Sequence, residues 1–235
     1  MRVKAGSLMW LNNICLTDSA LDNYRRSLLN SCPNYIVIDG LFDDVKLNEV
    51  VDFLQQPRNW QPQKHTYSAL YVDSAEWRNT SQCQRFVQRD VWQRPPSSPN
   101  AAQEFLSFLR GDKFMSLLSR IFGVELTDMN VSEPEINTNY FRLAVNDFVE
   151  LHADDSPGRE VCMLLYLNKG WSDIAGGELG FKGKADSPAI TIAPRYNRCV
   201  LFNPASTGSE HWVEKLNLTG ADQYRYNVTS WYWQE

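Results

Sequence analysis

The 235-residue sequence predicts a mainly β protein of the sandwich or jelly-roll kind, with α-helices leading into the β core. Three observations carry that expectation. From residue 136 onward, short apolar runs recur at close spacing, separated by the turn signals Ser156-Pro157-Gly158, Gly176-Gly177, Asp186-Ser187-Pro188 and Gly220. Aromatic residues make up 12% of the chain, a bias toward pleated surfaces. Helical periodicity is confined to the first 122 residues.

The elements follow in chain order. Residues 1–31 form an arm with one helix, capped by Thr17 and carrying Leu21, Tyr24, Leu28 and Leu29 at helical spacing. Tyr35–Asp39 is a short strand closed by Gly40, and 43–55 is an amphipathic helix. Residues 57–100 are rich in Gln, Arg, Ser and Trp and end in a proline cluster; short strands and a long loop are expected there, able to cover a site mouth. Ala101–Phe122 is helical, broken near Gly111 and stopped by Gly123. Strands are expected at 136–144, 148–153, 160–167, 177–182, 189–193, 198–203, 209–213 and 223–233. The expected organisation is one domain, with 1–130 as a helical and irregular support and 131–235 as the β core.

Composition excludes some classes. A formal charge of −5 argues against nucleic-acid binding through a basic surface. Arg26, Arg58, Arg78, Arg85 and Arg89 read as solvated surface charges, with an acidic substrate as the alternative. The five cysteines show neither pairing nor metal spacing, so reduced thiols and a cytoplasmic setting are expected. Neither a secretory signal nor a transmembrane span is expected, and no membrane partner.

The chemistry is concentrated in His152-Ala153-Asp154, followed by His211 and Arg225; the chain has only three histidines. Two imidazoles and a carboxylate can hold a divalent metal on one face and leave the other open. On a strand, His152 and Asp154 point the same way. Alternation along the last strand places Arg225, Asn227, Thr229 and Trp231 together. An arginine there needs an anionic partner, and a carboxylate co-substrate would supply one, with Tyr166 able to donate to it as well. Each of these residues alone reads more simply as structure: an ion pair for Arg225, core packing for Tyr166 and Trp231. The ordered set does not. A zinc hydrolase could use the same ligands, but no general base is placed by the pattern.

Residues 136–235 resemble the iron(II)- and 2-oxoglutarate-dependent oxygenases, nearest the prolyl hydroxylase branch. The resemblance runs through Leu151-His152-Ala153-Asp154, Leu164-Leu165-Tyr166-Leu167-Asn168, Gly176-Gly177-Glu178-Leu179, Ile192-Ala193-Pro194, His211-Trp212-Val213 and Arg225-Tyr226-Asn227-Val228-Thr229-Ser230-Trp231. It implies a double-stranded β-helix, a cupin-like jelly roll. It implies His152, Asp154 and His211 as Fe(II) ligands, and Arg225 as the group holding 2-oxoglutarate, helped by Tyr166 and Thr229. Leu179, Val213 and Trp231 match positions lining the co-substrate pocket. Tyr140 is carried over as a co-substrate contact, because Arg142 stands where the branch has a tyrosine. The stretch between His211 and Arg225 is longer than in the oxygen-sensing members, with 216–220 inserted. The implied activity is dioxygen-dependent hydroxylation of an unactivated C–H bond, with release of succinate and carbon dioxide and ascorbate as an expected accessory. A prolyl residue of a peptide is the expected substrate. A free amino acid or small metabolite is the alternative, and a carbohydrate-binding jelly roll the distant one.

Overall fold

Side-chain alternation along Arg159–Tyr166 separates the two largest cores among the described residues. Val161, Met163 and Leu165 face one way and Cys162, Leu164 and Tyr166 the other, and every one of the six is buried. The computed structural model describes residues 10–95, 100–127, 137–220 and 223–234. Its helices are α1 Asp18–Asn30, α2 Asp44–Leu54, α3 Ser74–Asn79, α4 Ala101–Leu109 and α5 Asp112–Phe122. Its first strands are β1 Tyr35–Asp39, β2 Trp60–Thr66, β3 Arg85–Trp92, β4 Thr138–Leu143, β5 Phe148–Val149 and β6 Arg159–Tyr166. They are followed by β7 Leu179–Phe181, β8 Ile190–Ile192, β9 Arg198–Phe202, β10 His211–Val213 and β11 Arg225–Trp233.

A large antiparallel sheet runs β1-β9-β6-β11-β4-β3-β2, with β5 beside β3, and a small sheet runs β10-β7-β8. The helices cover the outer face of the large sheet. Leu47, Val50, Phe105, Phe114 and Leu118 meet Val161, Met163, Leu165 and Leu201 in one continuous core. A second core fills the space between the sheets, where Leu164, Leu179, Phe181, Val200 and Phe202 pack together. This is the expected fold class, a jelly roll buttressed by helices.

Local chemistry sets the helix ends. Thr17 accepts the Ala20 N–H at 3.2 Å, Asp43 that of Lys46 at 3.0 Å, and Asn100 that of Gln103 at 3.1 Å. Gly123, at φ +72°, ends α5 in the left-handed conformation.

Two expectations change in detail. The strand expected over 148–153 is regular only at Phe148–Val149. Residues 57–100 contain two substantial paired strands, β2 and β3, with α3 in their connection. They extend the large sheet through β4. The first residue of the 136–144 run and the 130/131 boundary lie outside the described residues. Among the described residues, no helix is long and apolar enough to cross a membrane.

Tyr140 is corrected outright. It pairs with Val228 and shares that residue's face, which meets the helices. Its hydroxyl donates to the Ala102 carbonyl at 2.9 Å. Asn139 and Phe141, its neighbours on β4, take the inner face instead. The side-chain period of a strand forbids Tyr140 from reaching that face. Tyr140→Phe should therefore lower stability by about 1 kcal/mol. Denaturant melts should show that loss, while 2-oxoglutarate binding stays at the wild-type value.

Candidate metal centre and co-substrate site

His152 and His211 lie far apart in sequence but form a hydrogen-bonded backbone pair. The His152 N–H donates to the His211 carbonyl at 3.0 Å, and the His211 N–H returns the bond at 2.9 Å. The bridge joins the segment after β5, tied to the large sheet, to β10 of the small sheet. It sets the two imidazoles side by side, with ring centroids 4.3 Å apart. Both rings are held through Nδ1, which donates to the Glu150 carbonyl at 2.9 Å in His152 and to the Ser209 carbonyl at 3.0 Å in His211. That leaves each Nε2 with its lone pair free.

Asp154 completes the set. Its Oδ1 lies 3.7 Å from His152 Nε2, and its Oδ2 lies 3.8 Å from His211 Nε2. The ligand atoms of all three residues fall within 4.8 Å of one another. Strand alternation does not hold Asp154, because β5 has ended before it. The Trp231 indole N–H donates to Asp154 Oδ2 at 2.8 Å, and Arg159 donates to the Asp154 main-chain carbonyl.

The protonation states suit a divalent cation. Burial works against the Asp154 carboxylate, but His211, His152 and the Trp231 N–H outweigh it and hold its pKa below the usual range. Burial, reinforced by His152, draws His211 down to about 4. At neutral pH this buried set is an ionised carboxylate beside a neutral imidazole.

Arg225, on β11, is 1% exposed. Its Nε donates to the Gly177 carbonyl at 2.7 Å and its Nη1 to Asn227 Oδ1 at 3.0 Å. Asn227 in turn donates to Thr229 Oγ1 at 3.0 Å. Arg225 Nη2 has no partner, and neither has the buried hydroxyl of Tyr166. The guanidinium carbon lies 4.9 Å from the Tyr166 ring centroid. Burial raises the Tyr166 pKa to about 12, so it stays a donor. Two buried polar groups without a protein acceptor in one place suit an anion. Gly177 is required here: its φ is +74°, and a Cβ would sit 2.6 Å from Leu216 Cδ2 and 3.0 Å from Arg225 Cδ.

A cavity of about 650 Å³ joins these parts. His152, Asp154 and His211 line it, and so does Arg225. Leu179, Val213, Thr229 and Trp231 border it as well. Tyr166 reaches the site beneath, at Arg225, and Tyr140 lies on the other side of the sheet. Thr229 acts one step removed, through Asn227, which the sequence reading placed on the correct face but gave no role. His65 and Arg89, from β2 and β3, also line the cavity. Arg89 is not the solvated surface charge expected: its guanidinium lies 3.5 Å from the Phe141 ring centroid. Burial lowers its pKa to about 10, partly offset by Asp154, so it remains a cation at neutral pH.

Residues 138–233 match the family model of the 2OG-Fe(II) oxygenase superfamily. The chain is 29% identical over 126 residues to prolyl 3-hydroxylase OGFOD1 of Xenopus laevis, covering 52% of this chain and 23% of the relative. It is 23% identical over 150 residues to the same enzyme of Mus musculus, covering 60% of this chain and 26% of the relative. The chain thus spans about a quarter of the length of these curated relatives. A Pseudomonas putida prolyl-4-hydroxylase superposes with a TM-score of 0.62 at 17% identity, covering 91% of this chain and 99% of that one. A Trichoplax adhaerens prolyl hydroxylase, solved with a hypoxia inducible factor peptide, superposes with a TM-score of 0.62 at 21% identity, covering 93% and 94%. These likenesses give the fold, a double-stranded β-helix. The superfamily's Fe(II) and 2-oxoglutarate fit the residues present. The donor set is two imidazole nitrogens and a carboxylate, and the orphaned Arg225 and Tyr166 donors match a carboxylate at the far end of the co-substrate.

Two expectations follow. Trp231→Phe removes the N–H that fixes Asp154 and should weaken Mn(II) or Fe(II) affinity roughly 10–100-fold, read by metal titration. The second concerns acid. His65 and His211 are both drawn to about 4 by burial, so below their unfolded value near 6.5 the unfolded chain takes up protons that the folded one refuses. Stability is therefore whole above about pH 6.5 and is lost as pH falls toward 4. The thermal midpoint of the metal-free protein should show that fall, and His65→Gln should flatten part of it.

Proposed function

We propose that the chain is an Fe(II)- and 2-oxoglutarate-dependent dioxygenase that hydroxylates a prolyl residue of a peptide. The carrying observation is the pair of orphaned buried donors: Arg225 Nη2, on a residue that lines the cavity with the His152–Asp154–His211 cluster, and Tyr166 Oη, on the ring against which that guanidinium lies. A metal-only hydrolase has no use for a buried, unsatisfied guanidinium there, and a sugar-binding jelly roll has no use for the ligand cluster. The prolyl assignment draws on the curated relatives, which are named prolyl 3-hydroxylases. A peptide suits the mouth of the cavity, where Tyr67, Leu70 and Tyr71 are more than half exposed.

The chain's residues divide the work. His152, Asp154 and His211 would hold Fe(II), their free Nε2 lone pairs and ionised carboxylate being set before metal arrives. Arg225 would grip the distal carboxylate of 2-oxoglutarate with Nη2 while Gly177 and Asn227 hold its other nitrogens still. Tyr166 would donate to the same carboxylate. The chemistry such a centre supplies is dioxygen-driven C–H hydroxylation, with succinate and carbon dioxide as co-products. Leu179, Val213 and Trp231 keep the surroundings apolar and limit water. The unpaired state of all five cysteines supports a reducing, cytoplasmic setting.

The test is succinate formation by the Fe(II)-loaded protein with 2-oxoglutarate and a panel of prolyl peptides. Asp154→Ala should abolish it. Arg225→Gln should raise the 2-oxoglutarate requirement roughly 10–100-fold, the loss of a charge-assisted bond. Normal turnover by Asp154→Ala, or an unchanged co-substrate requirement in Arg225→Gln, would refute the assignment.

A further inference from the structure

The paired strands β2 and β3 form a wall of the same cavity that the superfamily match, which begins at residue 138, does not cover. Register puts Gln63 opposite Arg89 and His65 opposite Val87, so His65 and Arg89 share one face. Arg89 is built in place. Its Nε donates to Gln63 Oε1 at 2.8 Å, and Phe141 lies beneath its guanidinium. Among the described residues no carboxylate forms an ion pair with it, and its two terminal nitrogens donate to no protein acceptor.

His65 is held as firmly. Its Nδ1 accepts the Tyr71 N–H at 3.0 Å, and its ring stacks on Phe86 at 28°. Because Nδ1 is the acceptor, the ring proton sits on Nε2, and that N–H also has no partner among the described residues. The wall therefore offers donors from both strands, neither of them paired with a carboxylate among the described residues.

Charge gives the next step. Fe(II), Asp154, doubly ionised 2-oxoglutarate and Arg225 together are neutral. Arg159 and Asp155, which also border the cavity, offset one another. Arg89 is a surplus cation, and the co-substrate already has its own in Arg225. The remaining ligand of the cavity is the substrate.

We propose that Arg89 and His65 grip the carboxyl-side oxygen of the substrate's target residue. In a peptide that oxygen is the main-chain carbonyl; in a free amino acid it is the α-carboxylate. The inference rests on the reading of the chain as a prolyl hydroxylase. It makes the β2–β3 wall the part that fixes which carbon of the target faces the metal, since one anchored oxygen and the ring's own geometry orient the rest.

The test is calorimetric binding to protein loaded with Mn(II) and 2-oxoglutarate under anaerobic conditions. The probes are L-proline, N-acetyl-L-proline and a prolyl tripeptide capped at both ends. Arg89→Met keeps the packing on Phe141 and should weaken the preferred probe roughly 10–100-fold. Arg89→Lys should be intermediate, because it keeps charge without the fork. His65→Phe keeps the stacking and should lose roughly 3–10-fold. In each variant 2-oxoglutarate affinity should stay within about twofold of wild type, which also reports a folded site, and Arg89→Lys gives the reading if Arg89→Met does not fold. Loss confined to the two acids assigns an α-carboxylate, and loss with the capped peptide assigns a main-chain carbonyl; either supports the proposal. Unchanged probe affinity in the Arg89 variants overturns it, as does a fall in 2-oxoglutarate affinity instead, or a wild-type protein that binds the co-substrate but none of the probes. Failure of the wild type to bind Mn(II) and 2-oxoglutarate is a different result and removes the oxygenase reading itself.

Discussion

The backbone bridge between His152 and His211 is the constraint on which the site depends. Two ligands separated by most of the β core become nearest neighbours because their main chains exchange both hydrogen bonds. The bridge also stitches the large sheet to the small one, so ligand spacing and sheet spacing are a single quantity. Anything that slides β10 against β7 moves His211 relative to His152. A one-residue slip would turn His211 away from the metal entirely, since strand side chains alternate faces. The candidate metal site therefore needs little added organisation: the fold brings together two of its three donors as a consequence of closing the jelly roll.

The third donor and the anion site follow another logic. Asp154 has no strand to hold it, and the indole of Trp231, on β11, does that instead. Arg225 stands on the same face of the same strand, six residues earlier. One strand thus fixes the candidate carboxylate ligand at one end and the buried guanidinium at the other, which sets the distance between them with the stiffness of a central β-strand. Burying Arg225 without a counter-ion is unfavourable to the fold by itself. The same feature would favour an anionic co-substrate, because the anion would relieve a penalty already present in the fold.

The sequence made some of this legible and hid the rest for physical reasons. The strands after residue 136 bury both faces, so their apolar runs stand out. The ligand motif is legible because chemistry restricts it to a few residue types in a chain with only three histidines. Residues 57–100 are different. In β2 only Gln63, His65 and Thr66 are fully buried, and all three are polar, so no apolar alternation marks the strand. Its partner β3 carries Arg89 inward over Phe141, where composition suggested a solvated charge. Tyr140 failed for a simpler reason. It was placed from its neighbour Arg142 by keeping the same face, but Arg142 itself points away from the cavity, paired with Asp90 at 2.9 Å. Parity was conserved from a wrong starting residue.

The insertion between His211 and Arg225 read in the sequence as a departure from the oxygen-sensing enzymes. In the structure it supports the turn that holds Arg225. Leu216, the first inserted residue, is 1% exposed and bridges to Gly176. The Asn217 N–H donates to the Ala175 carbonyl at 2.8 Å, clamping the turn from below. That turn carries Gly177, whose carbonyl takes the Arg225 Nε–H. The Trp171 indole N–H donates to the Gly176 carbonyl at 3.0 Å and closes the same unit. The extra length thus fixes the acceptor that fixes the guanidinium. Orientation of a fork-shaped donor is the quantity a distal carboxylate reads, and a loose acceptor under Nε would let the fork swing. The departure from the family pattern therefore serves Arg225, a residue on which the resemblance to that family rests.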